Sequence, residues 1–409
     1  METLLLNANI VDIRTNKILE NHHIHIKDQN IYEIYKEAPN IENFEIIDIK
    51  GKFVIPGFCD CHVHVNAITA GLSSLRVMPP TYVTPQAMKI MKEMLMRGFT
   101  TVRDTGGADW GIAQAVEEGF VISPRIIFGG PALSPTGGHG DGRLKGDNTL
   151  HNHNCSELSV LCDGITEVRK YCRDLIRKGA HHIKIMVSGG VASPTDRIDS
   201  LQFSNDEISA IVEEANNANI YVVAHAYTTA AVNRALKLGV RSIEHGNLLD
   251  ETSIQLFKEH DAFLIPTLVT YYALKEEGKA LGLPQVSYEK IDTVLEKGMN
   301  SVKLAYDGQV RMAYGSDLLG DMHRRQLEGF KLLGEIMPSQ EVLHAATIGA
   351  AELLRMEGKI GEIIPGAYAD LLVMDDNPLQ NLDILQNPDE NLRLIMKDGK
   401  VYKNTLREN

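Results

Sequence analysis

The stretch "FCDCHVHV", residues 58–65, sets two histidines and two cysteines into one short apolar run. Taken as a self-contained Cys/His cluster, it would be a zinc knot tying a fold together. Taken as a strand, it divides. Alternate side chains of a strand share a face, so Phe58, Asp60, His62 and His64 point one way and Cys59, Cys61 and Val63 the other. The cysteines cannot join the histidines on one ion without breaking the strand. Buried between layers, they act as small hydrophobes. Two imidazoles near the C-terminal end of a strand can still share an ion. Most isolated pairs of this kind are packed or surface histidines, so the surrounding fold has to decide.

Upstream, residues 1–55 hold short alternating runs, "TLLLNANIVD", "HHIHIKDQNIYEIY" and "FEIIDIKGKFVI", broken by Asx and Gly turns and without helical period. From Pro56 to about residue 355, strand-like runs alternate with helical stretches. After "FCDCHVHV" come "TTVRD", "RIIFGG", "HIKIMVSGG", "YVVAHA", "RSIEHG", "FLIPTL" and "RMAYGSD", eight candidates in all. The spacing predicts a helix over "TPQAMKIMKEMLMRG", with Thr84 as N-cap, Pro85 in the first turn and Gly98 at the end. In "SNDEISAIVEEANNAN", Ser204 and Glu207 form a capping-box pattern. Eight βα units predict an α/β fold with a closed parallel (β/α)8 barrel; an open doubly wound sheet is the alternative. The stretch from Gly129 to Asp163, rich in Gly, Pro, Ser and His, reads as a functional lid without structure of its own. The tail "GKIGEIIPGAYADLLVMDDNP" returns to short strands. One β domain of residues 1–55 plus 358–409 is therefore expected to bracket a barrel of residues 56–357.

Composition narrows the function class. The 409 residues carry 41 Lys+Arg against 54 Asp+Glu, a net charge of −13. Phosphate binding needs a basic face, so a nucleic-acid partner is not expected. Five cysteines in so long a chain suit a reduced compartment better than a disulfide scaffold. The start "METLLLNANIVDIRTNK" lacks the basic and small-residue features of a signal peptide, and no run approaches 18 apolar residues. A cytoplasmic protein with no membrane partner is the expectation.

The chemistry-bearing residues repeat one placement. "YVVAHA" sets His225 at the end of an apolar strand, "RSIEHG" does so with His245 one βα unit later, and "MAYGSD" ends on Asp317. In a parallel barrel these ends converge on the catalytic face. A satisfied core histidine explains any one of them, but not the whole set together with His62 and His64. Lys184 stands in the middle of the apolar strand "HIKIMVSGG", where a bare ammonium is costly to bury. It is either salt-bridged to an inward acid or a bridging metal ligand after conversion by carbon dioxide to a carbamate.

The set "DCHVHV", "IKIMVSGG", "AHA", "IEHG" and "GSD", framed by "KFVIPGF" and "IIPGAYADLLVMDDNP", resembles the amidohydrolase superfamily of metal-dependent hydrolases over essentially the whole chain. The resemblance implies a distorted (β/α)8 TIM barrel with a small β-sandwich built from both termini, and a binuclear site of two divalent ions, usually zinc. His62 and His64 match the ligands of one ion, His225 and His245 those of the other. Lys184 matches the carboxylated bridging lysine and Asp317 the aspartate that binds metal and moves the proton. A hydroxide shared by ions ~3.5–4 Å apart would attack the amide carbonyl.

Longer stretches, "TTVRDTGG", "LSPTGGHGD", "MVSGGVASPTD", "AHAYTTAAVNRAL" and "PTLVTYYALKEEG", resemble the prolidase-like and arginine/lysine-carboxypeptidase branch. That implies a small-molecule or short-peptide substrate, either a dipeptide such as Xaa-Pro or an N-acyl amino acid. It is also compatible with a homo-oligomer. It suggests Tyr227 as a donor to the carbonyl oxygen and His139 as the receiver of the substrate carboxylate. The plain alternatives are a packed helix-start aromatic for Tyr227 and a loop histidine bonding backbone for His139. His151 and His153 in "HNHN" read as a solvated loop. Two other functions stay open: an imidazolonepropionase-like cyclic amidohydrolase, which does not need Lys184, and a scaffold that has lost its chemistry, against which all six ligand positions stand intact.

Overall fold

A computed structural model describes residues 2–149, 158–193 and 195–406; His151 and His153 lie outside them. Contacts divide the chain into two compact units, one of residues 1–60, 92–101 and 330–409, the other of residues 61–91 and 102–329.

In the first unit both ends of the chain enter one eight-stranded sheet. Strand Glu2–Asp12 pairs antiparallel with Lys17–Lys27 and parallel with Phe53–Pro56, which pairs antiparallel with Leu371–Met374. Leu392–Lys397 and Lys400–Asn404 follow at one edge and Asn30–Tyr35 closes the other. Alternation decides what is buried: Leu5, Ile10, Ile24, Ile26, Val54, Leu371, Val373, Leu394 and Met396 form one apolar cluster. The expected run "HHIHIKDQNIYEIY" breaks into two strands at Asp28, whose φ of 54° makes the hairpin turn.

The second unit is α/β. Its largest sheet runs, in order, Ser159–Leu161, Ala132–Ser134, His182–Met186, Tyr221–Thr228, Ser242–Leu248, Phe263–Ile265 and Arg311–Met312, each strand pairing parallel with the next. The parts of strands Phe58–Val63 and Phe99–Asp104 that fall in this unit, residues 61–63 and 102–104, belong with Arg125–Phe128 to a three-stranded sheet. Backbone bonds join these sets at two places. His181 N–H donates to Phe128 O at 2.9 Å, and Cys61 N–H and Asp317 N–H donate to Tyr314 O and His62 O at 2.7 and 2.8 Å. All eight sequence candidates are strands; among the described residues seven are followed directly by helical material, whereas Arg125–Phe128 is followed by the strands Ala132–Ser134 and Ser159–Leu161 before helix Gly164–Arg177.

Three local expectations are corrected. The first long helix is Pro80–Met96, with Pro85 inside it. Pro80 takes the helix-starting role assigned to Pro85, because the Pro79 carbonyl already accepts from the N–H groups of Tyr82 and Val83. The segment from Gly129 to Asp163 has structure of its own, the paired strands Ala132–Ser134 and Ser159–Leu161. The strand before Asp317 is only Arg311–Met312, and the backbone takes a left-handed φ of 52° at Asp317 itself. By contrast, Ser204 and Glu207 do form a capping box. No described helix is long and apolar enough to cross a membrane.

Candidate metal centre

Strand Phe58–Val63 is buried throughout, and His62 and His64 project from its C-terminal end. Each ring is fixed through Nδ1–H. His62 donates to Glu244 Oε2 at 2.6 Å and His64 to the Gly106 carbonyl at 2.8 Å. That carbonyl is held in turn by Asp104, whose carboxylate accepts from the N–H groups of Val65, Gly106 and Ala108. Both Nε2 atoms therefore face Asp317, lying 3.5 and 3.4 Å from its Oδ1. Potential ligand atoms of His62, His64 and Asp317 lie within 4.8 Å of one another. Cys59 and Cys61 are buried and lie outside this group, as strand parity requires.

His225 and His245 come from neighbouring strands, with ring centroids 4.6 Å apart; His245 lies 5.0 Å from His62. The Nε2–H of His225 donates to Gly189 O at 3.3 Å, which leaves Nδ1 available to ligate. Nδ1 of His245 meets Thr267 Oγ1 at 2.7 Å, which leaves Nε2. Gly315 is required where it stands: a Cβ there would collide with Ile265 and come within 2.9 Å of His62 Cβ.

Lys184 is 1% exposed. Glu244, the buried acid that attracts it, is already bonded by Arg103 Nη2 at 2.7 Å and by His62, and no hydrogen bond or ion pair holds the ammonium among the described residues. Desolvation draws its pKa down to about 8, against the opposing charges of Glu244 and Asp317. Burial likewise pulls His62 and His225 well below the ordinary imidazole range and His245 to about 3. For His64, burial pulls down but the bond to Asp317 outweighs it, and the pKa rises. Burial would raise Asp317, yet the surrounding imidazoles win and keep it ionised.

His62, His64, Lys184, His225, His245 and Asp317 all line one cavity of about 470 Å³, as do His139 and Tyr227. His139 stacks on His225 at 4.1 Å and 18°. Its Nδ1 lies 2.8 Å from Ser193 Oγ, and its N–H donates to Gln202 Oε1 at 2.8 Å. Tyr227 is not a helix-start residue. It sits within strand Tyr221–Thr228, 3% exposed, with its ring stacked on His245 at 5.1 Å.

Several residues here escaped sequence reasoning. Arg103 and Glu244 are completely buried charges that orient His62, and Ser242 Oγ–H also donates to Glu244 at 2.7 Å. Asp196 is a hub, accepting from Ser193, Gln202, the Gly190 N–H and Lys290. Burial alone would raise its pKa, but the His139 contact, Ser193 and Lys290 hold it well below the usual carboxylate range. A charge inside an apolar strand was the signal available for Arg103, as it was for Lys184.

Comparison with known proteins places this geometry. An amidohydrolase family model matches residues 53–402. The ochratoxinase of Aspergillus niger is 31% identical over 370 residues, covering 86% of this chain and 75% of its own. A prolidase solved with N-methylphosphonate-L-proline is 45% identical at a TM-score of 0.97, covering 99% of this chain and 100% of its own. A Xaa-Pro dipeptidase solved with methionine in its active site is 27% identical at a TM-score of 0.88, with coverage of 99% and 100%. With both sequence and fold matched over most of its length, the chain belongs to the amidohydrolase family, on its prolidase-like branch.

Proposed function

We propose that this hydrolase cleaves the amide joining an aminoacyl or N-acyl group to a C-terminal amino acid, in the manner of a metal-dependent Xaa-Pro dipeptidase. The carrying observation is the convergence of four histidines, Lys184 and Asp317 on one cavity. Their chemistry fits two divalent ions, zinc being the expected pair: neutral imidazole and ionised carboxylate are the ligating forms of these groups. His62 and His64 would hold one ion through Nε2. His225 through Nδ1 and His245 through Nε2 would hold the other, and Asp317 adds an oxygen.

Lys184 as a carbamate would complete the set. Its neutral amine attacks carbon dioxide, forming an N–C bond and releasing one proton. A pKa drawn toward 8 leaves part of the amine neutral near pH 7. The conversion also turns an uncompensated buried cation into an anion among cations.

Bound ions would supply Lewis acidity at the carbonyl and an acidified water. The remaining roles fall to side chains. Asp317 takes the proton of the attacking water and passes it to the leaving nitrogen. Tyr227 donates to the carbonyl oxygen as it becomes anionic. His139 receives the substrate carboxylate at Nε2, with Asp196 3.7 Å from Nδ1 on the other side of the ring. In this reading the backbone bonds at His181, Cys61 and Asp317 close a distorted (β/α)8 barrel of residues 56–357, and residues 1–55 and 358–409 form the β-sandwich.

The test is a library of dipeptides and N-acyl amino acids varied at the C-terminal residue, read by released amino acid. Proline is expected to be released fastest. Hydrolysis of no member would overturn the reading, and faster release of arginine, lysine or large apolar residues would reassign the specificity.

A further inference from the structure

A chain of hydroxyls links His245 to Tyr227. Nδ1 of His245 lies 2.7 Å from Thr267 Oγ1, that oxygen lies 3.4 Å from the Tyr271 hydroxyl, and Tyr271 lies 3.0 Å from the Tyr227 hydroxyl. Exposure along the chain is 3%, 1%, 1% and 3% from His245 to Tyr227. Asp317 approaches Nδ1 only to 3.9 Å, beyond hydrogen-bond reach. Thr267 therefore takes the Nδ1 contact.

Each hydroxyl carries one proton, so every link must point the same way. With a proton on His245 Nδ1, that group donates to Thr267, Thr267 to Tyr271, and Tyr271 to Tyr227. The Tyr227 oxygen then accepts within the chain and its own proton is left over. No hydrogen bond takes up that proton among the described residues, and Tyr227 lines the cavity. Were the chain reversed, Tyr227 would spend its proton on Tyr271 and show the cavity only lone pairs. A developing oxyanion needs the first arrangement and is repelled by the second.

We propose that Thr267 and Tyr271 are positioning residues that lock the Tyr227 hydroxyl as a donor toward the substrate amide oxygen, in a direction set by the proton on His245 Nδ1. This rests on the amide-hydrolase reading above. In that reading His245 offers Nε2 as the ligand atom, which keeps the proton on Nδ1. Occupancy of the metal site and the donor state of Tyr227 are then coupled through four buried groups.

The test uses the full-length metal-loaded protein carrying Tyr271→Phe, Thr267→Val or Thr267→Ser. Turnover is measured on the best library substrate. Metal content per chain and calorimetric affinity for N-methylphosphonate-L-proline, a tetrahedral mimic of the attacked amide, are measured beside it. Tyr271→Phe and Thr267→Val should each lower kcat roughly tenfold, the scale of one hydrogen bond, with KM and metal content held. Phosphonate affinity should fall by a similar factor, and Thr267→Ser should retain both. In a Tyr227→Phe background, Tyr271→Phe should add nothing.

Losses that multiply in that double variant, a Thr267→Ser as impaired as Thr267→Val, or an unaltered kcat in Tyr271→Phe would each overturn the proposal. If Tyr271→Phe fails to fold, the two Thr267 variants and their combination with Tyr227→Phe decide it. An unmodified protein that neither hydrolyses any library member nor binds the phosphonate fails the amide-hydrolase reading and this proposal with it. An active protein indifferent to the substitutions fails the hydroxyl chain alone.

Discussion

His245 and Asp317 carry φ angles of 77° and 52°, a backbone region that costs a non-glycine residue on the order of 1–3 kcal/mol. At His245 the departure has a visible use. Strand neighbours normally face opposite ways, yet Glu244 bonds the His62 ring and His245 packs 5.0 Å from it. The left-handed turn lets consecutive residues serve one site. This is also why Glu244 was illegible in the sequence while Lys184 was not: parity assigns Glu244 to the face opposite His245, and no local pattern announces the turn. Glu244→Gln keeps an acceptor for His62 but removes the charge facing Arg103. Metal affinity, measured by chelator competition, is expected to fall about 10–100-fold. Leaving Arg103 buried without its counter-charge should cost roughly 3 kcal/mol in a urea melt; unchanged values for both would show that the Arg103–Glu244–His62 chain does not support the site.

Elements were legible where periodicity carried the information. The eight strands were found because apolar runs bounded by turns survive any tertiary context, and the chemistry-bearing residues at their ends followed. Boundaries were less legible. Pro85 looked like a helix start because proline favours that position, but Pro80 competes for the same role five residues earlier. The segment from Gly129 to Asp163 read as featureless because its two strands are three residues each, too short to show a period. Gly190 fixes His139 in this segment: a Cβ there would collide with the His139 ring. Gly190→Ala should therefore displace that ring from its stack on His225. The expected result is a KM raised several-fold with metal content unchanged. A wild-type KM would separate His139 from carboxylate recognition.

On the scale of the whole molecule, an enclosed set of neutral imidazoles makes the fold sensitive to acid. His182 reports this without belonging to the ligand set. It is fully buried, neither ring nitrogen meets a partner among the described residues, and burial followed by the Arg103 charge pushes its pKa well below the ordinary value. The unfolded chain takes up a proton near pH 6.5 and the folded one does not. Stability is thus fully present above pH 6.5 and falls by about 1.4 kcal/mol per pH unit below it. Denaturant melts should show the unmodified protein losing roughly 2 kcal/mol more than His182→Leu between pH 6.5 and 5; equal losses would mean that His182 is protonated in the fold. The order of strands along the chain was readable at this scale, whereas the bonds that link strands distant in sequence, such as Asp317 N–H to His62 O, exist only in three dimensions. The proposed binuclear site is tested most directly by metal analysis of the unmodified protein beside Lys184→Ala. About two ions per chain are expected in the first and no more than one in the second, with turnover lost. A single ion in the unmodified protein, or two ions and full turnover in Lys184→Ala, would contradict it.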